Sequence, residues 1–250
     1  MTASKISRSP AINILILAAS KIPIQQSQFS YPICLTEING ASLLERIVRN
    51  TQSIDNAKLV FSFLETEAQD YHLDKVVSLL TIGARVIWVP EETKGSACTA
   101  LLAACQLDQE AELLIISANE LVDDDLGVMV NNFRERNLDA GTLTFHSVHP
   151  RYSFVSLGDD GLVIETAQRR PISSNATAGV FWYARTGDFV DGTQSLIHKD
   201  SCVDDSYFVA TVFNELVLKQ KKVGVSLLAL DKYIPLKTEQ QIDRYEGGRN

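Results

Sequence analysis

Cysteine is sparse and its spacing carries no metal or redox signature. Cys34, Cys98, Cys105 and Cys202 include no Cys-x-x-Cys pair and form no disulfide-dense pattern. Cys98 and Cys105 lie seven apart in a helical segment, on one face, and read as small core residues. Among the four histidines, His146 and His149 sit near a strand end without a third ligand at metal spacing, so both read as surface or structural. No Ser-His-Asp or Cys-His arrangement stands out, which leaves nucleophilic hydrolase chemistry without a candidate.

Long apolar runs are missing too. None approaches the ~20 residues of a membrane span, so no membrane partner is expected. Positive charge is in deficit: 23 Lys and Arg stand against 31 Asp and Glu, a net charge of −8 with pI near 5.0. That balance excludes broad attraction to nucleic acid or an anionic membrane. A single nucleotide can still bind through backbone amides and one or two cations. Linkers, repeats and low-complexity segments are absent from the sequence.

What is present is globular. The 250 residues are 45% hydrophobic and 22% charged, with mean hydropathy +0.01, which suits one large α/β domain. The first twenty residues, MTASKISRSPAINILILAAS, share the outline of a signal peptide. Asn13 interrupts the apolar run, however, and a first buried strand accounts for it; the expectation is a cytoplasmic protein with a disordered tail over 1–11.

From Ile12 the chain alternates strand and helix. Strands are expected over Ile12–Leu17, Lys58–Leu64, Ala84–Val89 and Leu113–Ile116. Ser42 caps a helix with Glu45 three residues on, as in a capping box, and another helix runs through about Leu80. Thr93-Lys94-Gly95-Ser96 opens an Ala/Leu-rich helix. This alternation predicts a Rossmann-like three-layer α/β/α architecture, with a mixed, mostly parallel sheet. The pattern then changes to alternating strands over Gly141–Val148, Tyr152–Leu157, Leu162–Ala167 and Ala178–Ala184. The middle two are joined by the turn Asp159-Asp160-Gly161, giving an antiparallel insertion. A helix over Ser206–Lys219, a strand over Val223–Leu228 and a last helix over Glu239–Tyr245 complete the expectation.

Three stretches are candidates for chemistry because ligands in open α/β sheets bind beyond the carboxyl ends of strands. In LLIISANELVDDD, Leu113–Ile116 breaks into Ser117, Ala118, Asn119 and Glu120 and then three aspartates. Asp123-Asp124-Asp125 suits either a divalent cation or the cap of a following helix. Ala18-Ala19-Ser20-Lys21 leaves a strand where amides cradle phosphate, although it lacks glycine and equally suits an ordinary strand exit. Thr93-Lys94-Gly95-Ser96-Ala97 suits close approach of a base or phosphate, or a plain helix start.

In this order the segments resemble the sugar-phosphate nucleotidylyltransferases, in the subgroup associated with capsule and lipopolysaccharide genes. The likeness spans Ile12 to about Tyr245. It is carried by YPICLTEINGASLLERIV, TKGSACTALLA, LLIISANELVDDDL, the segment from Thr144 through Arg185, and SYFVATVFNELV. The resemblance implies a nucleotide-diphospho-sugar transferase-like (GT-A-like) fold, with a nucleotide half over 12–130 and a sugar-phosphate half over 131–246. It also implies transfer of a nucleotidyl group from a nucleoside triphosphate to a sugar phosphate, with Mg²⁺, in the synthesis of surface polysaccharide precursors.

Carried over residue by residue, Ala18, Ala19, Ser20, Lys94, Gly95, Ser96 and Ala118 would meet the nucleotide. Glu165, Asn175, Thr177 and Gly179 would line the sugar side. Lys21 and Arg169 would be the catalytic phosphate cations, and Asn119 or Asp123 would hold the metal. The sequence departs from the family at the chemistry. The glycine-rich phosphate loop is Ala18–Lys21, and the lysine of Pro-Lys-Pro is Ile33. Asn119 takes the place of the metal-binding aspartate, with Glu120 one position off. The Glu-Lys pair is Gln168-Arg169, and Leu236-Lys237-Thr238 replaces a late Gly-Thr. Two other readings follow: a catalytically impaired homologue that binds a nucleotide or nucleotide-sugar and regulates a partner, and a nucleotide-sugar-dependent glycosyltransferase using Asp123–Asp125. A homo-oligomer is compatible with all three.

Overall fold

The structure, a computed structural model, describes residues 9–19, 32–236 and Gln241. The first element, β1 (Ile12–Leu17), is buried at every position, because a parallel strand covered on both faces has no polar side to show. It is followed by β2 (Glu37–Ile38), β3 (Ala41–Ser42), α1 (Leu43–Arg49), β4 (Ala57–Leu64), α2 (Glu65–Asp70), α3 (Leu73–Leu80), β5 (Arg85–Val89) and α4 (Ser96–Ala104). Next come β6 (Glu112–Ser117), β7 (Glu120–Val122), α5 (Leu126–Glu135), β8 (Ala140–His146), β9 (Ser153–Leu157), β10 (Val163–Gln168) and β11 (Asn175–Tyr183). The chain closes with α6 (Thr186–His198), α7 (Val212–Leu218), β12 (Val223–Leu227) and β13 (Tyr233–Pro235).

Among the described residues the main sheet has nine strands, in the path β10-β9-β11-β6-β1-β4-β5, with β8 beside β11 and β12 beside β8. β1 pairs in parallel with β4 and β6, and β4 with β5, so four carboxyl ends point one way. β11 runs antiparallel to β6, β8 and β9 and joins the two parts. This is the mixed α/β sheet flanked by helices that the strand-helix alternation predicts.

Alternation along β1 separates two cores. Ile12, Ile14 and Ile16 pack with α1, α3 and α5 on one face, through residues such as Leu44, Val77 and Phe133. Leu15 and Leu17 pack with α4, α6 and α7 on the other, through Ala100, Phe189 and Phe213. The opposite facing of successive side chains produces this division. Four buried alanines on α4 (Ala97, Ala100, Ala103 and Ala104) carry its contact with the sheet. Cys98 is half-buried and packs against the same core, as expected, whereas Cys105 is exposed at the end of α4 and its expected place in the core is corrected.

Other local expectations need adjustment. Ser42 caps α1, accepting from the Glu45 amide at 3.2 Å, but the Glu45 carboxylate turns to Arg49 at 2.6 Å. The single helix expected through Leu80 is two, broken where His72 adopts a left-handed φ of +49°. The helix expected from Ser206 starts later: Val209–Thr211 is a 3₁₀ turn and α7 begins at Val212. The helix expected over Glu239–Tyr245 lies outside the described residues apart from Gln241. No helix among the described residues is long and apolar enough to cross a membrane.

Candidate functional site

A cleft of about 500 Å³ opens at the carboxyl ends of β1, β4 and β6, where Leu17, Ala19, Leu64, Ser117 and Asn119 meet. The residues before and at the start of α4, Thr93, Gly95 and Ser96, form one wall. The other wall comes from the second half of the chain: Arg151 and Ser153 around the start of β9, Gln168 and Arg169 at the end of β10, and Thr177 and Gly179 on β11. Topology dictates this place. In an open α/β sheet the crevice forms beyond the carboxyl ends of the strands, and here the antiparallel part closes it from the side.

β11 makes the opening possible. Its register against β8 shifts between Thr177 and Phe181, and within that shift Gly179 takes φ +68°. A Cβ at Gly179 would lie 2.2 Å from Glu120 Oε1, so glycine here admits the buried Glu120 carboxylate to the cleft floor. Tyr233 Oη donates to Glu120 Oε2. Burial and then the neighbouring Glu120 charge hold the Tyr233 hydroxyl well above its ordinary pKa. Tyr233 therefore stays a neutral donor.

Beside Glu120, the Asn119 Oδ1 is buried without a hydrogen-bond partner. An orphaned acceptor of this kind is costly and fits an incoming donor or cation. Among the described residues no three His, Cys, Asp or Glu side chains gather as a metal cluster. A lone amide oxygen fits a hard cation only where that cation takes its other ligands from elsewhere, such as phosphate and water.

Gly95 has a structural reason for its place. With φ +95° and a Cβ position only 2.4 Å from the Tyr207 carbonyl, it allows residues 206–209 to run against the start of α4. Tyr207 N donates to the Lys94 carbonyl at 2.8 Å, Ala97 N to the Tyr207 carbonyl at 3.0 Å, and Val209 N to Ser96 Oγ at 3.3 Å. Gly95 and Ser96 still line the cleft, whereas the Lys94 side chain is exposed outside the lining.

The expected site residues separate into two groups. Ala19, Gly95, Ser96, Asn119, Arg169, Thr177 and Gly179 come together in the cleft. Ala18 and Ala118 are buried behind its floor, their amides used by the Ser62 and Leu17 carbonyls. Glu165 is exposed and paired with Arg170 at 2.6 Å, and the Asn175 amide donates to Ser173 Oγ. Asp123 lies away from the cleft, 2.7 Å from Arg46. Asp125 caps α5, accepting from the Gly127 amide at 2.8 Å and from Ser53 Oγ. Within the acidic triplet Asp125 is thus a helix cap and Asp123 an ion-pair partner, and Asp123 is not among the residues that line the cleft with Asn119. Ser20 and Lys21 lie outside the described residues.

Sequence reasoning missed Arg151, Ser153 and Gln168 as neighbours. Ser153 Oγ donates to Gln168 Oε1, so two neutral groups satisfy each other on the cleft wall. Their spacing of fifteen residues across a hairpin was the available signal: β9 and β10 pair Ser153 with Gln168.

No family model and no curated protein matches the sequence. Solved structures do match. A nucleoside-diphosphate-sugar pyrophosphorylase from Vibrio cholerae RC9 superposes with a TM-score of 0.78 at 17% identity, covering 93% of this chain and 98% of its own. A candidate glucose-1-phosphate thymidylyltransferase from Bacillus anthracis, solved with sucrose, superposes with a TM-score of 0.75 at 16% identity, covering 95% and 94%. The likeness establishes the fold as that of these sugar nucleotidyltransferases over nearly the whole chain.

Proposed function

We propose that this chain is a nucleotidyltransferase that joins a nucleotidyl group from a nucleoside triphosphate to a sugar phosphate, in the supply of surface polysaccharide precursors. The observation that carries the reading is the cleft: it opens at the strand ends of the first half and is walled by β9–β11 of the second, so two ligands can meet in it. In the reaction, an oxygen of the sugar phosphate attacks the α-phosphorus of the triphosphate. A new P–O bond forms, the bond to the β-phosphate oxygen breaks, and pyrophosphate leaves.

Ala19, Gly95, Ser96 and Ser117 line the side suited to the nucleotide. Thr177, Gly179, Ser153 and Gln168 line the acceptor side. Asn119 Oδ1 would supply the protein's oxygen to a Mg²⁺ carried in by the triphosphate, where the ion neutralises phosphate charge. The apolar contribution of Leu17, Leu64 and Phe181 keeps the meeting point poor in water.

A second reading has its own observation. Asn119 and Gln168 are neutral, and Gln168 is already engaged by Ser153, so the cleft suits a protein that holds a nucleotide-sugar and regulates a partner. The glycosyltransferase reading loses its main support, since Asp123 and Asp125 serve Arg46 and α5. Pyrophosphate release with each nucleoside triphosphate, Mg²⁺ and a panel of sugar phosphates tests the proposal. Release above the protein-free control supports transfer. Nucleotide-dependent stabilisation without release supports the binding role instead.

A further inference from the structure

Two cations line the described cleft, Arg151 and Arg169, and they are not equivalent. Arg169 projects from a backbone with φ +58° and sits 2.5 Å from Asp204, both side chains more than half exposed. Its charge is matched at the cleft rim, and an anion drawn to it meets the Asp204 carboxylate as well. Arg151 is half-buried and has no carboxylate partner among the described residues. Its Nε donates to His149 Nδ1 at 3.2 Å, and its Nη2 lies 3.3 Å from His149 Nε2. These contacts bring no carboxylate to the guanidinium, so they supply no opposite charge.

The mount of Arg151 is fixed. The next residue, Tyr152, is buried and packs edge-on against Phe145 at 5.0 Å and Tyr233 at 5.9 Å between ring centroids. The Tyr152 carbonyl accepts from the Arg169 amide at 3.0 Å, tying the Arg151 segment to the end of β10. A half-buried guanidinium on a cavity wall, forming no ion pair with a carboxylate among the described residues although Glu120 lies on the cleft floor, is open to an anionic ligand. Its planar fork matches a phosphate monoester in bidentate geometry. It shares its wall with Ser153, Gln168, Thr177 and Gly179, on the acceptor side.

We infer that Arg151, and not Arg169, is the residue that holds the phosphate of the acceptor. The inference rests on the functional reading above for the word acceptor, but the anion site at Arg151 is tested separately. The experiment measures binding of inorganic phosphate and of glucose 1-phosphate to the full chain by calorimetry, with glucose as the phosphate-free control, and nucleoside triphosphates in parallel. Loss of a charged hydrogen-bond partner predicts about 10- to 100-fold weaker phosphate binding for Arg151→Gln. Arg151→Lys recovers part of it, and Arg169→Gln changes it less than about threefold, as expected for an exposed pair. Circular dichroism and the thermal midpoint confirm that each variant is folded. An equal or larger loss in Arg169→Gln, unchanged binding in Arg151→Gln, or no phosphate binding by the wild type overturns the inference. Phosphate held through Arg151 by a chain that binds no nucleotide would leave the assignment standing and defeat the functional reading.

Discussion

Gly179 and Glu120 fit as notch and tenon: the glycine lacks the carbon that would stand 2.2 Å from the glutamate's Oε1. β11 can then shift register at the point where it passes the cleft floor, and Glu120 is fixed between Gly179 and the Tyr233 hydroxyl. The shape of the cleft and the position of its buried carboxylate are therefore one feature.

Gly179→Ala follows directly. The variant combines a left-handed backbone with a collision against a buried side chain, and an unfolding free energy lower by about 2–5 kcal/mol is expected. Urea denaturation reads it. Glu120→Ala in the same background removes the collision, so the double variant recovers part of the loss, leaving the two effects non-additive.

Asn119→Asp gives the cleft floor a charged oxygen where a neutral one stands unpaired. Tighter Mn²⁺ binding in the presence of nucleotide is expected, by electron paramagnetic resonance, and pyrophosphate release should rise about 10- to 100-fold. Without metal the variant loses stability at neutral pH, because a second carboxylate beside Glu120 is repelled by it. Unchanged Mn²⁺ binding would remove Asn119 from the metal role.

How much of this was legible beforehand depended on how local the cause was. β1 and β6 announce themselves, since strands covered on both faces read as continuous apolar runs, and the Ser42 and Asp125 caps act within three residues. α6 escaped notice because Gly187, Gly192 and Thr193 thin its apolar stripe, although Phe189, Val190 and Leu196 are buried. The three-residue strands β7 and β13 exist through their pairing with each other, more than a hundred residues apart. The cleft shows the same division. Asn119 and Gly95 lie at strand and helix ends that sequence can place, while Arg151 matters because the fold sets it on the cleft wall with His149, and no carboxylate, as its side-chain partner. The pairing of Asp123 with Arg46 on α1, seventy-seven residues earlier, is of the same non-local kind.

Cys34 provides a pH marker for the packing under the first half. Burial, and then Glu67, push its thiol up from 9.0 to about 12. A raised folded value means that the neutral thiol stabilises the native state below pH 9 and that this contribution is lost as pH rises toward 12. Cys34→Ala should flatten the alkaline fall in stability over that window. In the native wild type at pH 8, the exposed Cys105 reacts with a thiol reagent while Cys34 reacts only after unfolding; labelling followed by peptide mass spectrometry checks both.

Calorimetric titration of the full chain with each nucleoside triphosphate in the presence of Mg²⁺, repeated on Ser117→Trp to fill the cleft, addresses the central claim most directly. The account predicts saturable binding of at least one nucleotide by the wild type, with stabilisation of about 2.7 kcal/mol at a hundredfold excess over Kd, and its loss in the filled variant. Nucleotide binding that survives the tryptophan, or no binding of any triphosphate to the wild type, would contradict it.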